Sequence, residues 1–273
     1  MDYVESSLIS AFEQDYQNVE YIISDDFSSD QSFDVINKTV RIYNDKLNIK
    51  YHRNKKNLGI IENFKKNIKI STGDIVVGGS GDDIYKKNRV SLTVAAFNKS
   101  KRISAVFSNG YEIDKFNNIK GLIFKTKPIF SSSKKELFYK KTWIHGATAS
   151  YKKEICEKFC QVSFKNNFQE DSIMSYIACI YGEIKYINKP LVLYRLHDTN
   201  VSSPRKMNSL IQIFLNKPNI YKSRIDFLLS NKLYNFLLLN NLILVIVTNI
   251  YRFLNYINIL RPILRYKFKK IFN

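Results

Sequence analysis

The sequence predicts an α/β fold: a sheet flanked by helices, with a helical C-terminal tail. Three observations carry that expectation. Strand-like and helix-like segments alternate from Val4 to Asn98 at the spacing of a mostly parallel sheet with right-handed crossovers. The stretch Gly73–Asp83, Gly-Asp-Ile-Val-Val-Gly-Gly-Ser-Gly-Asp-Asp, runs a short β-branched segment into glycines and two adjacent carboxylates. From Arg205 onward the chain turns apolar and basic, with 12 Lys or Arg against Asp226 alone.

The elements follow in order. Val4, Leu8 and Phe12, with Ile9 and Ala11 beside them, have the spacing of an amphipathic helix over 3–14. Val19–Ile23 is a strand, and the polar loop Ser24-Asp25-Asp26-Phe27-Ser28-Ser29-Asp30 supplies caps for a helix from Gln31 to Tyr43. Ile49–His52 is a second strand, followed by Asn54-Lys-Lys-Asn57-Leu58-Gly59 and a helix through Ile70. Ile75, Val76 and Val77 read as a buried strand, with a helix over Lys87–Asn98 beyond it. Ala105–Phe107, Tyr111–Ile113 and Ile119–Phe124 look like separate strands around Asn-rich turns. Helices are expected at Lys134–Lys141 and from Phe168 to Tyr181, and His145-Gly146-Ala147-Thr148-Ala149 as the wall of a pocket. Ile184–Ile187 and Leu191–His197 complete the strands.

Composition narrows the class. With 273 residues, 45% hydrophobic and 14% aromatic, the chain can fill a core, so disorder is not the default. Cys156, Cys160 and Cys179 match no paired metal spacing, and an odd count argues for free thiols in a reducing compartment. His52, His145 and His197 are too scattered in sequence to suggest zinc. The N-terminus lacks the charged-then-apolar pattern of a leader. Of the net charge of +19, +11 lies from Arg205 onward, which favours an anionic partner for the tail.

Leu233–Tyr251 carries no charge over 19 residues, a length that permits a membrane span. Asn235, Asn240, Asn241, Thr248 and Asn249 interrupt it, each costly in hydrocarbon. An interfacial helix with a basic fringe fits better, and a plain helical extension of the core is the bland alternative. The division expected is a domain over 1–203 and a basic, apolar tail over 204–273.

In a parallel α/β sheet, ligands collect beyond the carboxyl ends of the strands. Asp25, Asp26, Asp82 and Asp83 all fall on that rim, in a strongly basic protein. Neighbouring carboxylates repel unless a cation or strong donors lie between them, so the rim suits a metal-bound anionic ligand. Taken alone, Gly-Asp-Asp is as well explained by a solvated turn.

Glu20-Tyr-Ile-Ile-Ser-Asp-Asp-Phe-Ser-Ser-Asp30, Asn57-Leu-Gly59, Asn63, Ser71-Thr-Gly-Asp-Ile-Val76, Ser80-Gly-Asp-Asp83 and Glu170-Asp171 together resemble the family-2 glycosyltransferases. Arg195-Leu-His197 with Asn200-Val-Ser202 resembles the closing segment of their catalytic domain, so the likeness covers residues 3–203. It implies a GT-A fold, a Rossmann-like mixed sheet that binds a nucleotide sugar with a divalent cation. It places Asp25 and Asp26 at the nucleoside, Asp82 on Mn²⁺ or Mg²⁺, and Asp83 at the donor sugar or the metal's surroundings. Arg195 and His197 fall at the diphosphate, Arg195 toward the nucleotide sugar and His197 toward the metal. Asp171 matches the general base that deprotonates the acceptor hydroxyl, giving one inverting displacement. No second carboxylate nucleophile is then needed.

The implied partners are a nucleotide-sugar donor and a glycan or lipid-linked acceptor of bacterial surface polysaccharide. The implied place is the cytoplasm, at the inner membrane face, with peripheral association. Three departures stand out. The family's first strand and nucleotide-contacting loop have no counterpart here, so the sheet is expected to lack an inner strand. Ser80 stands for the first Asp of Asp-x-Asp, and Phe27 stands where Gly is common. Two other readings compete: a catalytically dead scaffold of the same ancestry, and a basic nucleic-acid-binding protein. The second is disfavoured because the surplus charge lies in an apolar tail and four rim acids repel phosphate.

Overall fold

The computed structural model describes residues 3–128, 144–162 and 170–197. The helix expected at 134–141 and the whole 204–273 tail lie outside the described residues. Six α-helices are described: α1 (Val4–Phe12), α2 (Ser32–Tyr43), α3 (Ile60–Ile70), α4 (Arg89–Phe97), α5 (Lys153–Cys160) and α6 (Glu170–Tyr181). The strands are β1 (Glu20–Asp25), β2 (Asn48–Arg53), β3 (Ile75–Val77), β4 (Ile84–Tyr85), β5 (Ile103–Ile113), β6 (Ile119–Leu122), β7 (Ala149–Lys152) and β8 (Glu183–Arg195). No described helix is long and apolar enough to cross a membrane.

The strands form two sheets. β1 and β2 pair in parallel, Glu20 opposite Asn48 through Asp25 opposite Arg53. The second sheet has the order β3-β7-β5-β8-β4, with β6 on β5. Only β5 and β8 are parallel in it; β3 with β7, β4 with β8, β5 with β6 and β5 with β7 are antiparallel. The mostly parallel sheet read from the alternation is therefore corrected to a mixed one. Parallel neighbours need a long crossover between them, and beyond β2 only β5 and β8, with α5 and α6 between them in the chain, pair that way. Beyond Val77 the chain reverses through short strands and a hairpin.

β1 and β3 are not hydrogen-bonded to each other. Glu20 spans the gap from one side: its Oε1 accepts the backbone N–H groups of Thr72 and Gly73, the latter at 2.7 Å. Helix α1 spans it from the other. Its Phe12 is buried with Ile36 and Val40 beneath Tyr21, Ile23 and Ile49, the core of the β1–β2 layer. Its polar face reaches the second sheet, where Ser7 Oγ donates to Ser80 O at 2.7 Å and Ser10 Oγ accepts from Tyr85 N at 3.0 Å. The chain just after α1 continues the link, with Gln14 donating to Lys86 O and accepting from Val90 N.

Two pairs of expected strands prove continuous. Ala105–Phe107 and Tyr111–Ile113 are one strand because Ser108-Asn109-Gly110 does not turn. Asn109 Nδ2 donates to Phe124 O and its Oδ1 accepts from Phe124 N, both at 3.0 Å, so the side chain imitates a neighbouring strand. A Cβ on Gly110 would sit 2.7 Å from Ile123 Cδ1 and 2.8 Å from Val192 O, so only glycine lets the backbones close up. Ile184–Ile187 and Leu191–Arg195 likewise join, with the register against β5 shifting between Ser108 and Gly110 to pass Pro190. Ala96 and Phe97 of α4 pack on Ile103 and Val106 of β5, which centres the main core on that strand.

Candidate active site

At the carboxyl end of β1, both acids are turned to holding loops. Asp25 is buried; its Oδ2 accepts from Ser28 N at 3.2 Å and pairs with Arg53 Nε at 3.2 Å. Asp26 Oδ1 accepts from Leu58 N and Asn54 Nδ2, and its Oδ2 from Gly59 N, all at 2.8 Å. Gly59 has φ +78°, a left-handed conformation that explains the glycine of Asn-Leu-Gly. Phe27 also has a positive φ, 65°, with its ring exposed and the Arg53 guanidinium 5.3 Å from the ring centre. A bulky residue there is strained.

The second cluster forms where the loop before β4 meets the end of β8. Asp82 Oδ2 lies 2.9 Å from His197 Nε2, and Ser80 Oγ donates to Asp82 Oδ1. Ser80 thus keeps a contact with the acid pair, although it is not itself an acid. Asp83 is wholly buried, its Oδ1 accepting from Arg195 N at 3.0 Å and its Oδ2 without a partner among the described residues. Burial pushes its carboxyl up to about 7, and the neighbouring Asp82 charge pushes the same way against the Arg195 N–H, Arg89 and Arg195. Arg195 is 1% exposed; its Nε donates to Asp82 O at 2.8 Å and its Nη1 to Asp114 O at 3.1 Å. Tyr3 covers the pair, its ring 4.3 Å from the Arg195 guanidinium and 5.5 Å from the His197 ring.

Asp171 stands in the first turn of α6, with Oδ2 accepting from Gly146 N at 3.1 Å. A Cβ on Gly146 would push against that carboxylate, so any larger residue there would displace it. The 3₁₀ turn Gly146–Thr148 leads directly into β7. His145 beside it packs edge-on against Tyr194 at 4.6 Å, and burial pushes its imidazole down to about 4.

The structure therefore brings Asp82, Asp83, Arg195 and His197 together, sets Asp171 on the Gly146 turn, and keeps Asp25 and Asp26 at the end of the other sheet. Reading the sequence missed Tyr3, Tyr85 and Arg89 as parts of this arrangement. Gly146 lies in the His145–Ala149 run expected to wall a pocket, though its contact with Asp171 was not foreseen. Arg89 looked like one of 43 basic side chains. A carboxylate oxygen beside an imidazole nitrogen could hold a divalent cation. Among the described residues no three potential ligands cluster, so Asp82 and His197 would supply only part of a coordination sphere. The remaining positions suit phosphate oxygens and water.

Solved structures share this architecture. TarS of S. aureus superposes with a TM-score of 0.53 at 18% identity, over 71% of this chain and 56% of that one. A mannosyltransferase of Pyrobaculum calidifontis, solved with GDP-mannose and Mn²⁺, gives 0.54 at 17%, over 84% of this chain and 67% of that one. Fold and neighbours together define a GT-A-type protein. The model of glycosyl transferase family 2 matches residues 2–160, and the chain belongs to that family. It is also 23% identical over 209 residues to an uncharacterised glycosyltransferase of Nostoc sp., covering 72% of this chain and 62% of the relative. The chain thus spans less than two thirds of that relative's length.

Proposed function

We propose that the protein transfers a sugar from a nucleotide-sugar donor to a hydroxyl of a glycan or lipid-linked acceptor, with inversion at the anomeric carbon. The observation that carries this reading is the contact between Asp82 and His197. It joins two residues 115 positions apart into a pair with the donor chemistry of a metal site, over a buried Asp83–Arg195 layer. Asp82 and His197 would hold Mn²⁺ or Mg²⁺, which when bound neutralises charge on the departing nucleoside diphosphate. Asp171 takes the proton of the attacking hydroxyl, and the Gly146 N–H fixes the direction from which it does so. Arg195 and Asp83 keep the Asp82 backbone in place beneath the donor, and Asp25 and Asp26 shape the nucleoside end. The basic 204–273 segment suits an anionic inner membrane face, where lipid-linked acceptors of surface polysaccharide synthesis would lie.

The test is release of nucleoside diphosphate from UDP-, GDP- and dTDP-sugars in the presence of Mn²⁺. Asp82→Ala and Asp171→Asn are each expected to lower turnover by about 100-fold or more. Wild-type rates in either variant would remove the role assigned to that residue.

A further inference from the structure

The acids of the site sit on loops, and a loop holds its position only through the groups it bonds. Two of these loops meet at one buried side chain. Arg89, the first residue of α4, is 3% exposed; its Nη2 donates to Gly78 O at 2.7 Å and to Ala147 O at 3.1 Å. Gly78 begins the loop that carries Asp82. Ala147 follows Gly146, whose N–H holds Asp171.

A second connection runs through Tyr85. The Arg89 guanidinium lies 4.7 Å from the centre of the Tyr85 ring. The Tyr85 hydroxyl donates to Ser80 O at 2.7 Å and accepts from Ser80 N at 2.6 Å, and Ser80 Oγ in turn bonds Asp82. The fit beneath this turn is close: a Cβ on Gly79 would lie 3.0 Å from the Tyr85 oxygen. One buried cation thus reaches Asp82 through Tyr85 and Ser80, and Asp171 through Ala147 and Gly146.

Burying a guanidinium is expensive, and the nearby Asp83 charge offsets only part of that cost, since no carboxylate among the described residues forms a direct ion pair with Arg89. An apolar side chain would fill the same space at lower cost. What an apolar side chain lacks is a nitrogen with two N–H donors, which Arg89 holds in a rigid plane against backbone carbonyls from different loops; a lysine ammonium has the donors but not the fixed plane.

We propose that Arg89 is a positioning residue that fixes the Asp82 loop relative to the Asp171 turn. It touches neither donor nor acceptor. Its consequence for catalysis rests on the transferase reading above; its consequence for the loops does not.

Amide hydrogen exchange on the full chain, alongside steady-state nucleoside diphosphate release, tests this. Arg89→Met keeps much of the stem's volume and removes every donor. Peptides covering 78–83 and 145–149 are expected to exchange together about 10-fold faster, while β5 stays as protected as in wild type. Turnover is expected to fall about 30-fold with donor KM within about threefold, since misplacement costs rate more than binding. Arg89→Lys should recover part of the turnover. If Arg89→Met does not fold, Tyr85→Phe decides: it should loosen 78–83 and leave 145–149 protected. Loosening of one loop alone in Arg89→Met, loosening of β5 with both, or no change in either would overturn the proposal. So would a rise in KM at constant turnover. A wild-type protein that releases no nucleoside diphosphate from any donor would overturn the transferase reading, while the exchange data still decide the clamp.

Discussion

β5 and β3 are made of the same kind of residue and end in different surroundings. Ala105, Val106 and Phe107 of β5 are at most 1% exposed, whereas Ile75, Val76 and Val77 of β3 are only half-buried. The difference lies in their neighbours. β5 has β8 along one edge and β7 and β6 along the other; among the described residues β3 has β7 alone. β1 shows the same half-burial of Tyr21, Ile22 and Ile23, with β2 as its one partner among the described residues. An apolar β-branched run states that a segment can be buried, and the number of flanking strands decides whether it is. Both under-paired strands lead into the acidic loops, so the site is built on the less protected part of the sheet.

The comparison can be broken at its strong end first. Phe107→Ala removes a fully buried ring that packs against Phe124 and Tyr186, and is expected to cost about 3–5 kcal/mol in denaturant unfolding. A loss below about 1 kcal/mol would mean that β5 is not the centre of the core.

Glu20 gives an intermediate effect and a pH signature. Although burial pushes its carboxyl up, the Thr72 and Gly73 N–H groups and the Lys50 ammonium hold it down at about 2. Glu20→Gln should cost about 1 kcal/mol at neutral pH. A carboxyl whose pKa is depressed by folding contributes fully above its unfolded value, near 4.5, and loses that contribution as pH falls toward about 2. The stability gap between wild type and Glu20→Gln should therefore close across that window. A gap independent of pH would show that the bridge between the sheets is not ionic.

Val76→Ala is the smallest change, expected to cost less than about 1.5 kcal/mol because the side chain is only partly buried. Equal losses at Val76 and Phe107 would abolish the contrast between the two strands.

How much of this was legible beforehand differs by residue. The β1 strand, the α3 helix after Asn-Leu-Gly and the short β3 run were visible, because period and turn residues are local signals. Asp82, Asp171 and His197 stood out through their motif neighbours. The Asn109-Gly110 segment misled, since the groups that keep it extended, Phe124 and β8, are 15 and more than 80 residues away. Arg89 left no mark at all, because nothing in its flanking residues distinguishes a buried fork from a solvated charge.

By itself, then, the sequence determined the alternating helices and strands up to Val77 and which loops carry acids, since those follow from nearest-neighbour chemistry along the chain. Only the tertiary structure decided that the pairing is largely antiparallel beyond Val77, that β1 and β3 stay unbonded, and that Asp82 meets His197. It also decided that one guanidinium spans the Asp82 and Asp171 loops. Each of these depends on which distant backbone comes within bonding reach, and that is set by packing in three dimensions rather than by local order in the chain.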